Sequence, residues 1–169
     1  MDEYDPEMDR LLFYLPLAGS AFKKVYFDDI LDRAVSRFVP ADDLVVPYNA
    51  TDLASASRIT HVVRMSLNDV RKYQAGGFYR DIELSPYTED DELKKKEREL
   101  SGVQKTADGE ECTLLEIHTD LDLTGFEHIN PLDVEKTGIK IPYIVTIDLS
   151  SQKILAIRRN YTEGDAFFR

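Results

Sequence analysis

The stretch CTLLEIHTDLDL, residues 112–123, decides the fold. Leu115, Ile117, Thr119 and Leu121 fall on one side of an extended chain, and Glu116, His118, Asp120 and Asp122 on the other. That is the two-residue period of a half-buried strand. Downstream, residues 141–149 (IPYIVTIDL) and 153–159 (KILAIRR) are strand-like and flank Ser150-Ser151-Gln152, which predicts a hairpin. Upstream, Ile59 to Met65 is a strand by its β-branched content. Ser66-Leu67-Asn68-Asp69 then resembles a capping box with Asp where Glu is usual. The helix it opens runs through Val70 and Tyr73 and stops at Gly76-Gly77. Phe78 to Leu84 is extended, and Thr124 to Lys140 is a long connection.

Nearer the N-terminus, Asp5-Pro6-Glu7 is a helix start: Asp caps, Pro suits the first helical position and Glu complements the dipole. Met8, Leu11, Leu12 and Leu15 repeat at helical spacing. Pro16 predicts a kink or a restart, with Phe22 as the last apolar anchor. This helix is apolar on more than one face and wants covering on several sides. Val25-Tyr26-Phe27 and Ala34 to Val39 read as two strands around a polar turn. Pro40 to Asp43 reads as a turn or short helical start, Leu44 to Pro47 as a short edge strand closed by proline, and Thr51 to Ser57 as a loop or a single helical turn. Residues 86–111 form a charged insertion, surface-lying or mobile, in which Thr88 caps a helix ending near Gly102. Its Lys94-Lys95-Lys96 is hemmed in by acidic neighbours and suits a solvated face better than a phosphate grip.

Strands joined mainly by short turns, with three helices between them, predict an α+β domain. It has a largely antiparallel sheet, a kinked N-terminal helix and two further helices, over residues 1–169 as one domain. At 169 residues such a chain buries roughly 70% of its unfolded surface and folds without disulfides. Cys112 is the sole cysteine, so no disulfide framework exists. No apolar run approaches the roughly 18 residues of a membrane span, so no membrane partner is expected. Lys plus Arg number 21 against 32 Asp plus Glu, a formal charge of −11. A free nucleic-acid module needs a basic face, whereas this chain as a whole repels phosphate.

The richest chemistry lies at Asp120-Leu121-Asp122-Leu123-Thr124-Gly125, the first half of a calcium loop. Pro131 stands where the bidentate Glu belongs, and Glu127 and His128 come too early to replace it. His118 and His128 could join Asp120 or Asp122 around a transition metal, yet no HExxH or paired-Cys spacing supports that. His61 reads as a packed or edge histidine. Cys112 has no evident partner to lower its pKa, and neither a GxSxG elbow nor a nucleotide-binding glycine loop is present. Chemistry alone therefore predicts a non-catalytic acidic domain with no catalytic, cofactor-binding or metal residues. The alternatives are a metal-dependent hydrolase or nuclease using Asp120, Asp122, Glu127 and His118, and a small adaptor binding a protein through the apolar helix and the C-terminal aromatics.

The segment YDPEMDRLLFYLPLAGSAFKK (4–24) followed by VYFDDILDRAVSRFVPADDLVVPY (25–48) resembles the portal, or head–tail connector, proteins of short-tailed bacteriophages. The resemblance continues in RITHVVRMSLNDVRKYQAGGFYRDIEL (58–84), LLEIHTDLDL (114–123) and IPYIVTIDLSSQKILAIRRNY (141–161). It implies a fragment, the outer wing region, of a longer subunit. That subunit self-associates into a ring of twelve at one capsid vertex of the virion, assembled in the bacterial host cytoplasm. The implied partners are capsid and scaffolding proteins, the packaging ATPase and tail adaptors through regions outside this chain, and double-stranded DNA sliding through the channel. The family carries no catalytic residues or cofactors to transfer, and the implied role is genome packaging and ejection. By the same resemblance, a wing fragment folds alone without closing the ring.

Overall fold

The computed structural model describes residues 4–28, 31–84, 111–130 and 135–160. The expected charged helix of residues 88–102, the calcium-loop position Pro131 and the aromatics near the C-terminus lie outside them. The fold is α+β, with two helices and antiparallel sheets among the described residues. The chain divides into two compact units, Met1–Val46 and Pro47–Arg169.

The first unit opens with helix α1, Tyr4–Ala18. Pro16 lies inside it, and the helix runs through the proline instead of restarting beyond it. The stop is set by Gly19, which adopts φ +75° and returns its N–H to the Leu15 carbonyl at 2.9 Å, a left-handed C-terminal cap. Ala21 and Phe22, expected to end the helix, instead begin strand β1, Ala21–Asp28. A chain that has turned left-handed at Gly19 cannot continue the helix two residues later. Strand β2, Arg33–Pro40, pairs antiparallel with β1, Val25 opposite Ser36 and Phe27 opposite Ala34. Asp28 is buried at the strand end, where its carboxylate accepts the Leu31 N–H at 3.1 Å. A 3-10 turn, Ala41–Asp43, leads to the two-residue strand β3, Leu44–Val45.

In the second unit, β4 (Arg58–Ser66), β5 (Glu111–Leu121), β6 (Ile141–Asp148) and β7 (Ile154–Arg159) form an antiparallel meander in chain order. Helix α2, Leu67–Ala75, follows β4 directly. Its cap is Ser66, whose hydroxyl accepts the Asp69 N–H at 3.1 Å and donates to the Asp69 carboxylate at 2.7 Å. The shorter Asp therefore meets the capping hydroxyl, a compact version of the expected reciprocal box. Residues 78–84 are irregular and tied down at several places, among them Phe78, whose carbonyl accepts the Arg158 guanidinium at 2.9 Å. The Arg80 N–H donates to the Leu155 carbonyl at 2.9 Å, and the Gln74 amide donates to the carbonyls of Arg80 and Ile82.

Both faces of this sheet carry apolar groups. On one, Cys112 and Leu114 of β5 are fully buried with Val70 of α2 and Leu155, Leu84 is buried less deeply beside them, and Val63 and Met65 pack against the cluster. On the other, Ile141, Tyr143 and Val145 of β6 are buried against Ile117 and Leu121. Burial on both faces explains why β6 reads as a near-continuous apolar run and not as an alternation. The β6–β7 turn is held by Asp148, which is fully buried. Its Oδ2 accepts both the Ser150 and Ser151 hydroxyls and the Ser151 N–H, at 2.6–2.8 Å.

Candidate interaction surface

Helix α1 has two unlike sides. Glu7, Met8 and Leu11 share one stripe and are half-buried. The Glu7 carboxylate accepts the main-chain N–H of Phe38 in β2 at 2.6 Å, and Tyr14, one turn beyond Leu11, brings its ring 5.2 Å from that of Phe38. The opposite stripe follows helical spacing from Asp5 to Asp9, Leu12, Phe13 and Pro16, and every one of these is exposed. Phe13 is 65% exposed and Leu12 58%, and Leu17 beside them reaches 70%. None of the helix is fully buried. A surface helix normally turns its large apolar groups inward, so this one displays what other helices hide.

The hairpin shows a second patch. Val25 and Phe27 sit two apart in β1, hence on one face, and are 62% and 59% exposed. Lys23 shares that face, its ammonium 3.6 Å from the Tyr4 ring centre. The large apolar side chains buried in this unit are Val35 and Val39, among the described residues. The β-like composition of Val25 to Phe27 announced a strand, but nothing in it said which residues would stay uncovered.

The residues carrying candidate chemistry do not converge. Asp120 lies in β5 opposite Pro142, and Asp122 lies past the strand end and is exposed. Glu127 accepts the Lys136 ammonium at 2.7 Å on one oxygen and the Gly125 N–H at 2.9 Å on the other. Lys136 holds the Glu127 carboxyl below its usual range, and Glu127, with a smaller contribution from Asp122, raises Lys136. The positive charge beside these carboxylates is thus an ammonium from the chain itself. His128 bonds Thr137 across the same loop at 2.9 Å. His118 pairs instead with Glu116 at 2.8 Å on β5, and His61 stands directly across from Glu116 in the β4–β5 register. Cys112 is fully buried. Among the described residues no group of three His, Cys, Asp or Glu side chains is placed to hold a metal ion. No helix among them is long and apolar enough to cross a membrane.

Compared with known proteins, the chain matches no protein-family model and no curated protein sequence.

Proposed function

We propose that this chain is a structural subunit, acting by assembly and not by turnover. In this proposal it is the wing region of a portal-type ring at a phage capsid vertex, through which the genome is packaged and ejected. The observation that carries the proposal is the outward stripe of α1, where large apolar groups stand exposed on a regular element among the described residues. Surfaces of that kind mark contacts with other protein. The acidic balance of −11 fits a body that lets DNA slide past without gripping phosphates. The hydrolase alternative has no comparable support, since its four residues, Asp120, Asp122, Glu127 and His118, are engaged or dispersed along one strand and its loop.

The test is electron microscopy of the whole reading frame that contains this chain. Class averages of a closed ring with a central channel are expected. A protein that stays monomeric at every concentration, or that hydrolyses nucleic acid with a metal and loses this on Asp122→Asn, sinks the proposal.

A further inference from the structure

Strand β7 is the last strand of its sheet, and residues 78–84 run antiparallel along its outer edge. The Phe78 carbonyl meets the Arg158 guanidinium at 2.9 Å, the Arg80 N–H meets the Leu155 carbonyl at 2.9 Å, and the Glu83 carbonyl meets the Lys153 ammonium at 3.4 Å. Only the second of these is a main-chain bond, and among the described residues it is the one such bond between the segment and β7. Side chains supply the other ties. Gln74 of α2 donates to the carbonyls of Arg80 and Ile82 at 3.0 and 2.8 Å, and the Arg158 guanidinium lies 3.1 Å from the centre of the Phe78 ring. A groove of about 480 Å³, lined by Phe78, Tyr79 and Ile157 among others, remains between segment and strand. The segment leaves α2 through Gly77, which adopts φ +72° and has no atom within 4 Å of where a Cβ would stand.

The edge beneath is only partly used. The Asn160 N–H donates to the Pro142 carbonyl at 3.0 Å, so Asn160, Arg158 and Ala156 turn their main-chain groups toward β6, and Ile157 turns its own outward. Among the described residues no main-chain bond meets those outward groups. Bare groups of this kind are a template for an added strand. Charge says which strand. Residues 153–159, KILAIRR, hold three cations and no carboxylate, in a chain of net charge −11. The segment now lying there carries Asp81 and Glu83, two residues apart.

We infer that the outer edge of β7 is a strand-addition site whose partner is an extended peptide of another protein, alternating apolar and acidic residues, and that residues 78–84 hold this site in an autoinhibitory contact. The partner enters antiparallel, as the segment does. It bonds to the Leu155 carbonyl and to both outward groups of Ile157, and it brings carboxylates among Lys153, Arg158 and Arg159. Arg158 exchanges the Phe78 carbonyl and ring for the newcomer. Main-chain bonds supply the affinity, and the cations supply the preference of sign. Gln74 sets the threshold, because its two bonds favour the resident segment. The apparent affinity for the partner falls with the fraction of molecules whose segment is off the edge. The site lies wholly in the second unit and needs no ring.

A labelled peptide of the segment's own sequence, residues 77–85 (GFYRDIELS), tests this by fluorescence anisotropy with the 169-residue chain. Gln74→Ala removes both clamp bonds and is expected to bind the peptide at least about tenfold more tightly than the unsubstituted chain. Added NaCl should weaken that binding. A peptide carrying Asp81→Lys and Glu83→Lys should lose it, with the protein itself untouched. Adding Ile157→Pro to the Gln74→Ala chain deletes the outward N–H and should also abolish binding, with circular dichroism verifying the fold. A peptide that binds neither chain, equal affinity for both chains, or binding that survives the two lysines would each overturn the inference. A Gln74→Ala chain that dimerises without peptide, in sedimentation velocity, would make a second copy the occupant and overturn the choice of partner.

Discussion

The main-chain N–H of Phe38 donates to the carboxylate of Glu7 at 2.6 Å, across 31 positions of sequence. Phe38 lies in the outer strand of a two-stranded hairpin, and its N–H points away from β1. A carboxylate from α1 caps a strand edge that would otherwise present a bare donor. Glu7 also accepts the Arg10 guanidinium at 3.0 Å on its other oxygen, which fixes the rotamer.

Glu7→Ala is expected to destabilise the first unit by about 1.5–3 kcal/mol, the range for losing a hydrogen bond to a charged group. Hydrogen exchange is the direct reading: the Phe38 amide should lose protection far more than Val35 or Val39. Unchanged protection at Phe38 would mean that the helix is held by side-chain packing alone.

Leu114→Ala should cost about 2–5 kcal/mol, because Leu114 is 1% exposed among fully buried neighbours. Leu115→Ala, one residue on and half-buried on the opposite face, should cost clearly less. Urea unfolding of the two variants gives the comparison, and equal losses would contradict the observed asymmetry of β5.

Gly19→Ala meets no neighbouring atom within 4 Å, so its effect is purely conformational. At φ +75° an alanine is expected to cost about 1 kcal/mol or slightly more. Helical signal by circular dichroism should change little, since the cap and not the helix body is strained.

Acid should weaken the fold. Hydrogen bonding with Lys72 and then Ser66 lowers the Asp69 carboxyl from its ordinary 3.8, Ser55 lowers Asp52, and Lys136 lowers Glu127 from 4.5. A carboxyl whose folded pKa lies below its unfolded value contributes stability above the unfolded value and loses it as pH falls through the folded one. Melting temperature should therefore drop between about pH 5 and about pH 3. Lys136 behaves oppositely: raised above 10.5 in the folded chain, it contributes below that pH and loses its contribution on further alkalinisation. NMR titration of Glu127 in Lys136→Met should show its midpoint moving up toward 4.5.

Strand positions and the cap of α2 were plain in the sequence, because alternation and an Ser-x-x-Asp start are local signals. Which face of a strand is covered is not local. The alternation of β5 separates Leu115, Ile117 and Leu121 from Glu116 and His118 without ranking the faces. Helix α2 then settles over Cys112 and Leu114, on the same side as Glu116 and His118, so one face is core at one end and polar at the other. The stop at Gly19 was hidden behind Pro16, the louder helix-breaking residue. In the candidate surface, the excess apolar character of α1 was legible. The exposure of Val25 and Phe27 was not, because β-propensity measures fit to a pleated surface and is silent about cover.

Each strand from β4 to β7 lies beside the one made just before it. During synthesis on the ribosome, a finished strand waits only for its successor and never for the far end of the polypeptide. The largest delay falls between β4 and β5, after α2 has already folded back on its own strand. Nascent chains of this design expose a bare strand edge one at a time, which limits the window in which a crowded cell could aggregate them.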